Sequence, residues 1–177
     1  LIDEVGVDAT RYLMLAKSSD QPIDFDIEVA KKKDASNPVY YVQYAHARIC
    51  SILRKAADPA DAEAAENGDI TMDELAAKVI PADVDLSPLT HESELALMRK
   101  MDDFGPLVTL AARDRAAFRL THYAQDLAAL FHSFYTNCHV IGEEEAVTNA
   151  RLALVDATRI VLAKTLDLLG VSAPAKM

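Results

Sequence analysis

Residues 37–57 read NPVYYVQYAHARICSILRKAA, and this stretch decides the fold class. Its opening Asn-Pro pair is typical of a helix start, because asparagine can cap free backbone N–H groups and proline fits the first helical position. Asp58 and Pro59 then predict that the helix ends near Ala57. At about 100° per residue, one side of this helix carries an apolar stripe that indicates a buried face: Val42, Ala45, Ile49, Ile52, Leu53 and Ala56.

The rest of the chain repeats this helical spacing of apolar residues. We expect further helices over about 9–17, 92–104, 106–115, 117–138 and 143–169. Alternating strand patterns are almost absent. The predicted fold class is therefore all-α, a bundle of about five or six helices.

Length and composition indicate one domain over residues 1–177, because 51% apolar residues are enough for a real core. No apolar run approaches the roughly 18 residues that a membrane span requires, so no membrane partner is expected. Cys50 and Cys138 are too few for a disulfide scaffold, and no secretory leader is visible. We therefore expect a cytoplasmic protein. The start at Leu1 rather than Met suggests a piece of a longer chain.

The net charge of −10 argues at first against a nucleic-acid partner, because phosphate contacts need Lys and Arg. However, residues 58–94 carry the whole imbalance, with eleven acids and one base, Lys78. We interpret this segment as an acidic, partly irregular insertion within the domain, held away from any phosphates. Thr71 and Glu74 fit a capping box and predict one short helix over about 71–79.

The side of the long helix opposite its apolar stripe carries two tyrosines and two cations: Tyr40, Tyr44, Arg48, Ser51 and Lys55. One interpretation is that a second helix packs there and buries the rings. The other is that unstacked bases lie against the tyrosine or guanidinium faces while the cations meet phosphates. Residues 131–135, FHSFY, form a second aromatic segment in which His132 and Tyr135 lie off the core stripe. Both side chains could therefore face a ligand.

Motifs for catalysis are missing from the sequence. There is no GxGxxG, Walker-type loop or GxSxG, so neither triphosphate binding nor covalent catalysis is expected. His46 and Cys50 have a spacing that could hold zinc, but no further ligands complete the site. We predict no catalytic residue and no metal, which indicates a binding module.

Four segments carry a resemblance to a known family. Residues 37–48, NPVYYVQYAHAR, resemble the segment that opens the C-terminal domain of bacterial arginyl-tRNA synthetases. Residues 4–12, EVGVDATRY, resemble the DALR motif that names this all-α anticodon-binding domain. Residues 129–140 are similar to the family's second aromatic segment, and residues 168–177 to its C-terminus. Together the four segments reach from one end of the chain to the other and leave the acidic stretch unmatched.

The resemblance implies a parent enzyme that charges its tRNA with arginine, using ATP and Mg. The family's HIGH-type and KMSK-type signatures would lie in a catalytic domain upstream of Leu1, so this chain alone would be no enzyme and would hold no cofactor. Its implied partners are the anticodon stem-loop of tRNA(Arg) and that catalytic domain, with no DNA partner. The alternative function is a helical protein–protein interaction or scaffold domain.

The resemblance also implies which residues bind the anticodon loop. By position in the matching segments, these are Tyr44 and Arg48 on the first long helix, Tyr135 of the FHSFY segment, and the C-terminal Met177. We further expect Lys55 and Arg159 to contact phosphates.

Overall fold

The computed structural model describes all residues, 1–177, as an all-helical fold without strands, which confirms the predicted fold class. The helices are α1 (Ile2–Val5), α2 (Val7–Leu15), α3 (Ile27–Lys31), α4 (Pro38–Ala56), α5 (Pro59–Asn67), α6 (Met72–Val79), α7 (Glu92–Asp102), α8 (Phe104–Asp114), α9 (Phe118–Asn137) and α10 (Glu145–Leu168). The predicted number of five or six was too low, because α1 and α3 are shorter than six residues and α5 has no apolar stripe.

The core forms where α4, α9 and α10 pack against one another, with α7 covering α9 and α10. The apolar stripe predicted on α4 faces this core, and all of its members except the half-buried Ala56 are buried. Phe131 and Phe134 of α9 are fully buried on the same side. No helix is both long and apolar enough to cross a membrane.

Asn37 precedes α4 as predicted but does not cap it. Its side-chain amide instead donates hydrogen bonds to the backbone carbonyls of Ala30 at 3.0 Å and Lys32 at 2.9 Å. Pro38 occupies the first turn of α4, where its missing N–H costs nothing. Asn37 therefore ties the end of α3 to the start of α4.

The acidic segment 58–94 is more ordered than expected. The Thr71–Glu74 capping box is confirmed: Thr71 Oγ1 accepts the Glu74 N–H at 3.1 Å, and Glu74 Oε2 accepts the Thr71 N–H at 2.6 Å. Helix α5 was not predicted, because alanines are its main apolar residues and none of its residues is buried. Residues 80–91 remain irregular, and both α5 and α6 pack against α4.

The C-terminal tail lies along α4. The side chain of Gln43 donates to the Ser172 carbonyl at 2.9 Å, and Arg54 donates to the Ala175 carbonyl at 3.0 Å. Between them, the His46 ring nitrogen Nδ1 lies 2.9 Å from the Pro174 carbonyl. These contacts position the last residue of the chain beside the middle of α4.

Candidate nucleic-acid interface

Helices α4 and α9 bring three of the predicted site residues together. The Arg48 guanidinium donates to the Tyr44 hydroxyl at 2.5 Å and to the Tyr135 hydroxyl at 3.4 Å. It also lies over both rings, with Cζ 5.2 Å from the Tyr44 centroid and 5.0 Å from the Tyr135 centroid. We call Tyr44, Arg48 and Tyr135 the Arg48 cluster.

The charge of the Arg48 cluster is not neutralised within the protein. No carboxylate lies within 4.0 Å of Arg48, whose side-chain partners are two phenol hydroxyls. Burial disfavours its charged form, but the hydrogen bonds with Tyr44 and Tyr135 outweigh burial and raise the pKa of Arg48. The guanidinium therefore stays cationic and can meet an anion or stack on a planar ring.

The Arg48 cluster opens onto a groove between α4, α5 and the C-terminal tail. This α4–α5 groove has a volume of about 680 Å³ and includes Tyr44, Arg48, Arg54, Lys55, Lys176 and Met177 among its lining residues. The Met177 residue is 51% exposed and Tyr135 is 36% exposed, so both remain accessible beside the guanidinium. Lys55 is exposed in the same groove and has no carboxylate partner.

Arg159 does not fit the phosphate-contact prediction. The residue is only 6% exposed, and its guanidinium is paired with Asp156 at 2.7 Å and with Asp73 of α6. Because the buried guanidinium of Arg159 is already paired with two carboxylates, it links α6 to α10 and has no unpaired charge to offer a phosphate. Periodicity alone could not reveal this role, because Asp73 lies 86 residues away in the sequence.

The acidic segment is not held away from the groove, contrary to expectation. Glu63 and Glu66 of α5 line the wall opposite Arg48, and Glu66 forms an ion pair with Lys176 of the tail. The cause is the packing of α5 against α4, which the alanine-rich sequence of α5 does not reveal. The groove therefore has a cationic side and an acidic side.

The side of α4 that carries the tyrosines agrees in part with each of the two interpretations of the sequence. Helix α9 packs beside it, and the His132 ring lies 6.1 Å from the Tyr44 ring and 4.9 Å from the Tyr41 ring. Tyr40, Tyr41 and Tyr44 nevertheless remain only half-buried. The rings are therefore packed against neighbouring side chains and still partly exposed to solvent, and stacking on a base requires such partly exposed rings.

The zinc-like spacing of His46 and Cys50 has a structural explanation. Cys50 Sγ lies 3.8 Å from His46 Nδ1, which also faces the Pro174 carbonyl. Burial raises the pKa of Cys50 to about 11 and lowers the pKa of His46. No group of three or more His, Cys, Asp or Glu side chains is arranged to hold a metal ion.

The sequence and the fold identify the family. Residues 42–177 match the family described as the DALR anticodon binding domain, and the chain belongs to that family. It is 46% identical to the arginine–tRNA ligase of Heliobacterium modesticaldum and 48% identical to that of Dehalococcoides mccartyi. Both matches cover the whole of this chain but only 30% and 29% of the relatives.

A solved structure shows the same relationship. The arginyl-tRNA synthetase of Thermus thermophilus matches 98% of this chain, with a TM-score of 0.73 and 31% sequence identity. The match covers 27% of that protein. The chain thus corresponds to less than a third of the length of these relatives.

Proposed function

We propose that this chain is the anticodon-arm binding module of an arginine–tRNA ligase. In this role it binds the anticodon stem-loop of tRNA(Arg) in the cytoplasm, while a catalytic domain of the same parent polypeptide joins arginine to the tRNA. ATP and Mg serve that catalytic domain, and this chain contributes no catalytic residue. The proposal is supported by the family match and by one central observation: a cation with no carboxylate partner lies between two accessible tyrosine rings.

The geometry suggests how an unpaired loop would be held. Bases splayed out of the loop would stack on the faces of Tyr44 and Tyr135, each stack contributing roughly 1–3 kcal/mol. Arg48 is already fixed by hydrogen bonds to the two hydroxyls, so binding costs little of its side-chain entropy. Met177 would add an apolar contact to the edge of a base.

The two sides of the groove would orient the RNA backbone. Phosphates favour the side that carries Arg48 and Lys55 and are repelled by Glu63 and Glu66. Outside residues 58–94 the chain is neutral overall rather than basic. Recognition would therefore depend more on stacking and shape than on a broad positive surface.

The test is a fluorescence titration of a labelled tRNA(Arg) anticodon stem-loop with the wild-type chain, Tyr44→Ala and Arg48→Ala. We expect each substitution to weaken binding about tenfold, the loss of about one stacking contact. Arg99→Ala is the matched control, because Arg99 is exposed on α7 and has no carboxylate partner. If both groove variants fold normally and bind like the wild type, the proposed site is wrong.

Salt dependence separates RNA binding from the alternative of a protein-docking domain. Phosphate contacts release counterions, so the affinity should fall between about 0.05 and 0.2 M salt, with a log–log slope of about −0.7 for each single-strand phosphate contacted. An interface made of buried tyrosines predicts little change over that range.

A further inference from the structure

The C-terminal tail, residues 170–177, follows α10 and contains neither helix nor strand. The N–H of Val171 donates to the Leu166 carbonyl, and beyond it no backbone group of residues 172–177 pairs with another backbone group. Side chains from other parts of the chain therefore set the path of the tail. That path matters because the last residue, Met177, lines the α4–α5 groove.

Two oppositely charged side chains of α2 hold the start of the tail. Arg11 Nη1 donates to the Gly170 carbonyl at 3.1 Å. Asp8 accepts two hydrogen bonds from Ser172, one from its N–H at 3.2 Å and one from its hydroxyl. Gly170 has a φ of 66°, and a side chain there would collide with the Arg11 guanidinium, so glycine suits this close approach. Because Asp8 and Arg11 are three residues apart on a helix, they reach the same turn of the tail.

Asp8 also fixes the side chain of Gln43 on α4. Gln43 is only 8% exposed, and its Nε2 donates to Asp8 Oδ2 at 2.8 Å and to the Ser172 carbonyl at 2.9 Å. No Lys, Arg or His lies within 4.0 Å of the Asp8 carboxylate, so these neutral donors are its protein partners. Hydrogen bonds to a carboxylate are stronger than those between neutral groups. Asp8 and Gln43 thus hold both the N–H and the carbonyl of Ser172.

The attachment at Ser172 lies outside the groove, because neither Asp8, Gln43 nor Ser172 lines it. From Ser172 the tail continues along α4, where the Pro174 and Ala175 carbonyls meet side chains of α4, and Lys176 pairs with Glu66 of α5. These later contacts require the tail to leave α10 in the direction that the Ser172 contacts give it. Asp8 is therefore linked to the groove only through the tail.

We propose that Asp8 is a positioning residue for RNA binding: through Ser172 and Gln43 it sets the path of the tail and so places Met177 in the α4–α5 groove. A tail that is ordered before binding lowers the entropy cost of forming the complex. The inference rests on the proposed function, because it takes Met177 as a contact to RNA. The competing role of Asp8 is confined to α2, since a carboxylate in the first turn stabilises a helix.

The first measurement uses no RNA. Methyl NMR spectra of ¹³C-labelled methionines are compared between the wild-type chain and Asp8→Asn, and the Met177 signal is identified by its absence from Met177→Ala. We expect Asp8→Asn to narrow the Met177 signal and to move it towards its position in an unfolded chain, because the tail loses its attachment. The signals of Met98 and Met101 on α7 should stay unchanged, which shows that the fold is intact.

A second variant covers the case in which Asp8→Asn destabilises α2. Ser172→Ala removes one donor to Asp8 from an exposed position of the tail and leaves α2 unaltered. It should move the Met177 signal in the same direction as Asp8→Asn does.

The second measurement is a titration of the anticodon stem-loop with the wild-type chain, Asp8→Asn, Met177→Ala and the double variant. Met177→Ala should weaken binding about fivefold, the loss of a partly buried apolar contact. Asp8→Asn should weaken it about threefold, and this loss should vanish in the Met177→Ala background, because Asp8 acts through that side chain. Asp3→Asn, which removes the same charge from an exposed position on α1, should bind at least as tightly as the wild type. Charge alone thus predicts the opposite sign for Asp8→Asn.

The results distinguish failure of the inference from failure of the proposed function. The inference is wrong if the Met177 signal is the same in Asp8→Asn and the wild type, or if the two bind the stem-loop equally. It is also wrong if Asp8→Asn causes the same loss with and without the Met177 side chain, because Asp8 then acts on α2 itself. In each of these cases a weakened Arg48→Ala leaves the proposed function standing. If the stem-loop does not bind the wild-type chain, the proposed function and the inference both fail.

Discussion

The Arg48 guanidinium on α4 lies 5.0 Å from the ring centroid of Tyr135 on α9, while its hydrogen bond to the Tyr135 hydroxyl is long, at 3.4 Å. The ring face therefore contributes more to this pairing than the hydroxyl does. This contact joins α4 to α9 through two residues that lie 87 positions apart in the sequence.

The first prediction separates the ring of Tyr135 from its hydroxyl. Tyr135→Phe keeps the face and should bind the anticodon stem-loop within about twofold of the wild type, whereas Tyr135→Leu should bind about fivefold to tenfold more weakly. Fluorescence anisotropy of a labelled stem-loop measures both affinities. Equal weakening by the two substitutions would show that the hydroxyl, not the ring, makes the contact.

The second prediction concerns Arg151 and the buried Glu94. The Glu94 side chain is 1% exposed, and its Oε1 accepts from Arg151 Nε at 2.7 Å. Arg151→Met leaves this carboxylate buried and unpaired, which should lower the free energy of unfolding by about 3–5 kcal/mol. Urea denaturation followed by circular dichroism measures the change.

The control for Arg151→Met is an exposed ion pair. Lys164 lies 2.9 Å from Asp167, and both side chains are more than half exposed. Lys164→Met should therefore change the free energy of unfolding by less than about 1 kcal/mol. If Arg151→Met unfolds at the same urea concentration as Lys164→Met, the buried pair does not stabilise the fold as described.

The contact between Arg48 and Tyr135 shows what a single sequence can and cannot predict. The 3.6-residue period of α4 identified its buried stripe and left Tyr44 and Arg48 on another face, because the core selects apolar residues at regular intervals. The period says nothing about which distant side chain meets that face. The position of Tyr135 beside Arg48 could be expected only from the resemblance to the family.

The errors have equally specific causes. Arg159 has the same local pattern as an exposed arginine, and only the packing of α6 against the core brings Asp73 to it. Helix α5 lacks the large apolar residues by which amphipathic helices are recognised, so its contact with α4 was not foreseen. By contrast, the Thr71–Glu74 capping box was predictable because both of its hydrogen bonds are local.

The third prediction is a loss of stability in mild acid caused by two histidines. Burial lowers the pKa of His46, with a smaller contribution from the Arg159 charge, and burial together with Arg48 lowers the pKa of His132. Below the ordinary histidine pKa of about 6.5, the unfolded chain binds protons that the folded chain excludes. The contribution of the two neutral histidines to the free energy of unfolding is therefore complete above about pH 6.5. It is lost as the pH falls through the lowered pKa values that the two histidines have in the folded chain.

Urea denaturation at pH 7.5, 6.5 and 5.5 measures this effect. The slope should not exceed about 1.4 kcal/mol per pH unit for each histidine. His46→Gln and His132→Gln should each flatten the profile, whereas carboxylates with a lowered pKa, such as Glu74, contribute only at lower pH. An unchanged free energy of unfolding between pH 7.5 and 5.5 would contradict the assignment.

The fourth prediction concerns the acidic side of the α4–α5 groove. Glu63 is exposed on α5, lines the groove and has no ion-pair partner, so its charge repels the phosphates that Arg48 and Lys55 attract. Glu63→Gln should tighten binding of the stem-loop about threefold at about 0.05 M salt, an effect of the size that exposed charges produce. The gain should disappear at about 1 M salt, where the Debye length is about 3 Å.

Glu92→Gln, which removes an equal charge from the exposed start of α7, should leave the affinity unchanged at both salt concentrations. Equal tightening by the two variants would mean that only net charge matters, and that the wall formed by α5 does not guide the RNA backbone.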